Sequence, residues 1–187
     1  MPGATAGYTL LELLFVVALV GVVSAMAVPQ ILSSVDRLQG RVAARYLGSR
    51  AALTRTQAVS RGAHVALLFE ADPRGISFSV YQDGNRNGVR TLDIRDGRDR
   101  QVEPAVRLFE QFPGVEIALA AGTPAPGAVQ LGGTSLLSFS PQGTSTSGTI
   151  YIRGRDGTQW AVRVLGATGR VRVLRYERRT GEWADAF

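Results

Sequence analysis

The sequence predicts an α+β fold in which one long N-terminal α-helix precedes an antiparallel β-sheet domain. Three observations support this prediction. Residues 8–28 form an apolar run that carries a single charged residue, Glu12. After Pro29, apolar residues continue to recur at helical spacing as far as about residue 61. From Ala63 onward the period changes to two, and turn-forming residues separate short runs of β-branched and aromatic residues.

The first element, residues 8–29, is long enough to cross a membrane. As an α-helix the run would rise about 31 Å at ~1.5 Å per residue, and a hydrocarbon core is about 30 Å thick. Glu12 lies just inside this segment. An unpaired carboxylate there costs roughly 2 to 3 kcal/mol, so we expect Glu12 to have a partner, such as the positive end of a neighbouring chain.

The second element, residues 30–61, is predicted to continue the helix as an amphipathic half that ends near Gly62. Its apolar residues are expected to lie against the sheet that follows. They are Ile31, Val35, Leu38, Val42, Tyr46 and Leu53. Arg37, Arg41 and Arg45 line another face, which is either solvated or in contact with a neighbouring subunit.

Roughly 160 residues follow the apolar run, enough for one compact domain with its own core. The period-two pattern predicts eight strands, at residues 65–70, 76–82, 106–112, 115–119, 136–140, 149–153, 159–165 and 170–176. Residues 71–75 and 154–157 are typical of hairpin turns, because Gly and Asp tolerate the dihedrals of such turns. Residues 120–133, dense in Gly, Pro and Ala, are expected to form a mobile surface loop.

Composition narrows the classes of function. The chain has no cysteine, which removes thiol catalysis and thiolate metal sites, and no lysine, which removes a phosphate-binding P-loop. The one histidine, His64, has no nearby acid in a catalytic arrangement, so we expect neither enzymatic activity nor a cofactor. The net charge is +6, and all the basic residues are arginines. Such a charge favours binding to polyanions such as nucleic acid or anionic lipid headgroups.

Residues 83–88 have the spacing with which a calcium-binding loop begins. Asp83, Asn85 and Asn87 alternate there, and Gly88 permits a tight turn. The loop lacks the closing bidentate glutamate, because Ile94 occupies its position. The alternative is an ordinary turn in which Asp and Asn side chains bond to their own backbone.

The C-terminal arginines form the other candidate site. On a strand Arg170 and Arg172 project from one face, while Val171 and Val173 point inward. Two guanidinium groups so placed can bind phosphates, and Tyr176 and three further arginines could extend the contact. Those arginines are Arg175, Arg178 and Arg179. The alternative is a final amphipathic strand with a solvated charged face.

The N-terminal sequence Gly7-Tyr8-Thr9-Leu10-Leu11-Glu12, which opens the apolar run, resembles the processing site of type IV prepilins and pseudopilins. The resemblance implies that a prepilin peptidase cuts between Gly7 and Tyr8 and that the new N-terminus is methylated. It also implies that Glu12 pairs with the terminal amine of an adjacent subunit in a filament. Pro29 lies where that family commonly breaks its first helix.

Later motifs make the chain similar to the GspH/FimT family of minor pilins and pseudopilins. They are the turn at residues 80–88, Phe139-Ser140-Pro141-Gln142-Gly143 with Gly148-Thr149-Ile150, and Gly169-Arg170-Val171-Arg172. The resemblance implies a pilin-like fold with a leader at 1–7, a transmembrane and filament-core helix at 8–29, the amphipathic half at 30–61 and a periplasmic β domain at 62–187. Such a protein is anchored in the bacterial inner membrane by one span before assembly.

The same resemblance implies a structural subunit that helps to initiate or cap a type II secretion pseudopilus or a type IV pilus. Its partners would be other major and minor pilins or pseudopilins, the prepilin peptidase and the inner membrane. The alternative is a DNA receptor in natural transformation, since a Gly-Arg-x-Arg motif of FimT-like pilins is associated with DNA binding. Gly169, Arg170 and Arg172 match that motif.

Overall fold

The computed structural model describes residue 7 and residues 9–186, and for residues 26–33 it describes the backbone alone. The chain divides into two compact units, Met1–Val35 and Asp36–Phe187. The predicted α+β fold is confirmed, because one long helix is followed by two antiparallel sheets. The elements in chain order are α1 (Leu10–Arg61), β1 (Val65–Asp72), β2 (Gly75–Gln82), α2 (Thr91–Arg95), β3 (Arg100–Arg107), α3 (Leu108–Gln111), β4 (Val129–Gln130), β5 (Leu136–Phe139), β6 (Gly148–Arg153), β7 (Gln159–Leu165), β8 (Arg170–Glu177) and β9 (Glu182–Asp185).

Helix α1 begins and ends with side-chain and backbone caps. Thr9 precedes the first helical residue, and its hydroxyl oxygen accepts the backbone N–H of Glu12 at 3.2 Å. At the other end Gly62 has φ +60°, and the Ala63 N–H donates to the Ala58 carbonyl at 3.2 Å. This left-handed glycine cap ends the helix at the predicted position. Position 29 lies within α1.

The N-terminal unit exposes its apolar side chains. Leu10, Phe15 and Val20 are 80%, 67% and 58% exposed. Among the described residues, no helix has both the length and the hydropathy that a membrane crossing requires. The span predicted for residues 8–29 includes Tyr8 and side chains that lie outside the described residues, and it stays a prediction.

In the second unit, α1 contacts the sheets through small residues, so the predicted contact face was wrong. Val35, Leu38, Val42 and Leu53 are 43–56% exposed. Of the described residues in the predicted stripe, Tyr46 alone packs against the core, with its ring 5.5 Å from that of Phe112. The residues of α1 that are buried in the second unit are Gly40, Ala43, Ala44, Leu47, Gly48, Ala51, Thr54 and Ala58.

Small residues form the contact face of α1 because they let the helix backbone approach the strands closely. A Cβ atom added at Gly48 would lie 3.0 Å from Val173 Cγ2, and one at Gly40 would lie 2.9 Å from Trp160 Nε1. Close approach increases the area of strand surface that the helix removes from water. Val35, Leu38, Val42 and Leu53 therefore lie on the opposite side, and Leu47 is the one large apolar residue among the buried residues of α1 named above.

The sheets have the strand orders β3-β2-β1-β5 and β4-β6-β7-β8-β9, and every pairing is antiparallel. Alternate residues of β1, including Leu67 opposite Val80 and Leu137, face one core shared with α1 and with β6 and β7. The other face of β1 packs on a small cluster with Val89. The second sheet also has a small cluster on its other face, formed by Tyr151, Ala161 and Leu174.

Six of the predicted strands correspond to β1, β2, β5, β6, β7 and β8. The strand predicted at 106–112 was wrong, because β3 ends at Arg107 and α3 begins at Leu108. Residues 115–119 make an isolated bridge, Glu116 with Arg153, instead of a strand. Helix α2, most of β3, β4 and β9 were not predicted from the sequence. Residues 120–133 were predicted to be surface loop, although β4 and the buried Leu131 belong to that segment.

Candidate functional site

Strand β8 carries Arg170 and Arg172 on the sheet face that is turned away from the main core. Both residues are exposed, while Val171 and Val173 are partly buried against that core. The alternation of β8 therefore places the two arginines together, as the sequence predicts. Both follow a turn in which the Gly169 N–H donates to the Leu165 carbonyl at 2.8 Å.

A third arginine, Arg163, lies on the same face. Strand β7 pairs with β8 so that Arg163 is directly opposite Arg172, and it is exposed. We call Arg163, Arg170 and Arg172 the outer arginine cluster. Together with residues that include Thr149 and Leu165, it lines an open depression of about 490 Å³. Arg163 was not predicted to belong to this site, because strand register is not visible in the sequence. One arginine within the otherwise apolar β7 was the available signal.

The three arginines differ in their partners. Arg172 forms an ion pair with Asp185 through two hydrogen bonds, Nε to Oδ1 at 3.1 Å and Nη2 to Oδ2. This pairing raises the pKa of Arg172, because the Asp185 carboxylate stabilises the charged guanidinium. Within the described part of the chain, the guanidinium groups of Arg163 and Arg170 have no hydrogen bond or ion pair.

The remaining predicted arginines lie apart from this cluster. Arg175 belongs to the opposite face of β8 by alternation and pairs with Glu177 at 3.1 Å. Arg178 donates to the Gly157 carbonyl at 2.7 Å. With Arg179 and Tyr176 they line a second depression of about 330 Å³. The predicted site is therefore divided in the structure: Arg170 and Arg172 line one depression, and Arg175, Arg178 and Arg179 line the other.

Gly169 has a conformational role in the turn before β8. It has φ +61°, which strains any L side chain. A Cβ atom there would collide with the Gly143 carbonyl oxygen and lie 2.7 Å from Arg55 Nε. Arg55 of α1 donates to that same carbonyl at 2.9 Å. Gly169 thus permits the turn that presents Arg170.

The residues of the possible calcium loop bond to their own backbone. Asp83 Oδ1 accepts the N–H groups of Asn85 and Arg86 at 3.0 and 2.8 Å, and Oδ2 accepts that of Gly88 at 2.7 Å. Asn85 Oδ1 accepts the Asn87 N–H at 3.2 Å. Among the described residues no cluster of three or more potential metal-ligating side chains is present. These bonds favour the ordinary-turn interpretation.

Helix α2, which follows this loop, holds another buried carboxylate, Asp93, which the sequence pattern did not indicate as a site. Asn87 Nδ2 donates to Asp93 Oδ2 at 3.1 Å, and Arg98 Nη1 lies 2.9 Å from Oδ1. The pKa of Asp93 is lowered, first by the hydrogen bond from Asn87 and with help from Asn85 and Arg98, although burial opposes this. Asp93 therefore fastens the loop that covers the first sheet.

At the N-terminus, the structure describes Gly7 and residues 9–12 of the predicted processing site. Gly7 is exposed, and Tyr8 lies outside the described residues. Glu12 is exposed on the first turn of α1, three residues after the capping Thr9. This spacing is half of a capping box, and a carboxylate there also complements the helix dipole.

The family model of the type II transport protein GspH matches residues 43–169, from the buried face of α1 to the turn before β8. The chain belongs to the GspH family. The predicted family is thereby confirmed. No curated protein matches the chain. Among solved structures, the minor pseudopilin EpsH from the type 2 secretion system of Vibrio cholerae is similar at 18% identity and a TM-score of 0.48, covering 73% of this chain and 97% of that one.

Proposed function

We propose that this GspH-family protein is a minor pseudopilin subunit that helps to initiate or cap a type II secretion pseudopilus or a type IV pilus. The observation that supports the proposal is that the N-terminal unit exposes its apolar side chains from Leu10 to Val23 and does not pack them into a core. Such a helix is stable only where other apolar groups cover it. The membrane covers it before assembly, and helices of other pseudopilins cover it afterwards.

In this proposal the prepilin peptidase removes residues 1–7 and leaves Tyr8 as the methylated N-terminus. The second unit, which begins at Asp36, is then the periplasmic part. Glu12 stands among apolar neighbours, where its charge needs a cation from an adjacent subunit. Its position near Thr9 offers a competing explanation, since an N3 glutamate also stabilises a helix start.

Glu12→Gln separates these two roles, because glutamine keeps the size and capping capacity but loses the charge. We expect this variant to lower incorporation of the subunit into filaments at least about tenfold, since a lost charge pair in an apolar setting exceeds 1.4 kcal/mol. The measurement is the amount of the protein in sheared filaments, together with secretion or piliation, in cells that lack the native gene.

Thr9→Val is the matched control, because it removes the hydroxyl cap and leaves the charge in place. It costs about 1 kcal/mol of helix stability and should leave assembly largely intact. Normal incorporation of Glu12→Gln with a defect in Thr9→Val would contradict the charge-pair role and leave Glu12 as a helix cap.

A second candidate function is DNA binding during uptake, which the outer arginine cluster favours. Arg163 and Arg170 are exposed on one open face and carry no counter-ion within the described residues. Guanidinium groups so placed suit phosphate oxygens, and they carry no sequence preference by themselves. Salt-dependent binding of duplex DNA, lowered by Arg170→Gln, is the corresponding test.

A further inference from the structure

We propose that Asp185 competes with nucleic acid for the outer arginine cluster. The Asp185 carboxylate binds Arg172 until a phosphate of a bound nucleic acid displaces that carboxylate. The inference rests on the second proposed function and concerns its regulation. Arg163 and Arg170 make the first phosphate contacts, and Arg172 joins them when the ion pair with Asp185 opens.

The geometry of the ion pair carries this inference. Asp185 engages two nitrogen atoms of Arg172, Nε and Nη2. This bidentate mode is the one in which guanidinium also binds a phosphate. A phosphate and the Asp185 carboxylate would therefore use the same donors, and only one of them can be bound at a time.

The pair is also weak enough to open. Its two side chains are about half exposed, 54% for Arg172 and 50% for Asp185. Exposed ion pairs contribute little to stability, because water and salt screen them. Strand β9 has other attachments, since the Trp183 ring lies 5.1 Å from that of Tyr176 and 5.6 Å from that of Tyr151. Opening the ion pair therefore need not release the strand.

Arg163 explains why an external anion gains from displacing Asp185. Arg163 lies directly opposite Arg172 in the β7–β8 ladder, where like charges repel. Asp185 lies opposite Leu174 in the β8–β9 ladder. Within the described chain, the Asp185 carboxylate accepts hydrogen bonds from Arg172 alone. A phosphate above the cluster would contact Arg163 and Arg172 together, whereas Asp185 contacts Arg172 alone.

The test is titration of a fluorescein-labelled duplex DNA with the full chain in detergent, between about 50 and 200 mM salt. Asp185→Asn is expected to raise affinity roughly three- to tenfold and to steepen the salt slope by about 0.9, the value of one further phosphate contact. Arg163→Gln is expected to lower affinity and flatten the slope by a similar amount. In an Arg172→Gln background, Asp185→Asn should have no effect.

Each test variant has a control with the same change in charge, Glu70→Gln for Asp185→Asn and Arg95→Gln for Arg163→Gln. Glu70→Gln removes an exposed carboxylate from the first sheet, and Arg95→Gln removes an exposed arginine from α2. If Asp185→Asn matches Glu70→Gln, or still raises affinity in the Arg172→Gln background, this inference is overturned and DNA binding stands. If neither the native chain nor Asp185→Asn binds the duplex, both are overturned.

Discussion

Gly169→Ala is expected to lower the free energy of unfolding of residues 36–187 by about 2 to 4 kcal/mol. The left-handed backbone costs roughly 1 kcal/mol for alanine, and overpacking adds about 1 to 3 kcal/mol. The overpacking arises because the new Cβ meets the Gly143 carbonyl oxygen, which Arg55 already binds. Urea unfolding followed by circular dichroism measures the difference.

Gly62→Ala is a close control for this substitution. Gly62 has φ +60°, almost the same as Gly169, but a Cβ atom there would meet nothing within 4 Å. It should therefore cost about 1 kcal/mol, from the backbone alone. Equal losses in the two variants would show that the contact with Gly143 and Arg55 contributes nothing, and that Gly169 matters for its dihedral angles only.

Ala44→Leu is expected to destabilise the same unit by about 3 kcal/mol, because Ala44 is fully buried where α1 meets the core. Three extra heavy atoms must push the helix away from the strands, and the close contacts of Gly40 and Gly48 would be lost with it. Urea unfolding is again the measurement. Near-ultraviolet circular dichroism should report the accompanying change around Trp160.

Ala52→Leu makes the same substitution on the exposed side of α1. It should change stability by no more than about 0.5 kcal/mol, since nothing buried is displaced. A large loss for Ala52→Leu and a small loss for Ala44→Leu would reverse the assignment of the buried face and restore the one that the apolar stripe suggested.

The strands were predictable where alternation and β-branched residues coincide. Strands β6, β7 and β8 follow one another through short turns, so local pattern and pairing agree. Strand β3 was not predictable, since Arg100–Arg107 contains Pro104, has charged residues at both ends and is half exposed along its length. The two short helices α2 and α3 have too few residues to show a helical period.

The buried face of α1 could not be predicted by counting large apolar residues. Packing density decides it, and alanine and glycine allow the closest approach. Val35, Leu38 and Val42 form the more obvious stripe but remain exposed in the second unit or at its border. A search for small residues at helical spacing, such as Gly40, Ala44, Gly48 and Ala51, would have found the buried face.

The candidate site was partly predictable for a similar reason. Period two places Arg170 and Arg172 together and Arg175 on the other face, and this follows from β8 alone. Arg163 and Asp185 enter only through the pairing of β8 with its neighbours β7 and β9. Register is a tertiary property, so one strand's sequence contains neither the third arginine nor the competing carboxylate.

Processing of the N-terminus tests the central claim, that this GspH-family chain is a filament subunit, most directly. The measurement is intact mass spectrometry of the protein isolated from membranes of cells that possess a prepilin peptidase. We expect a chain that begins at Tyr8 and carries one N-terminal methyl group. A chain that retains residues 1–7 in such cells would contradict the account.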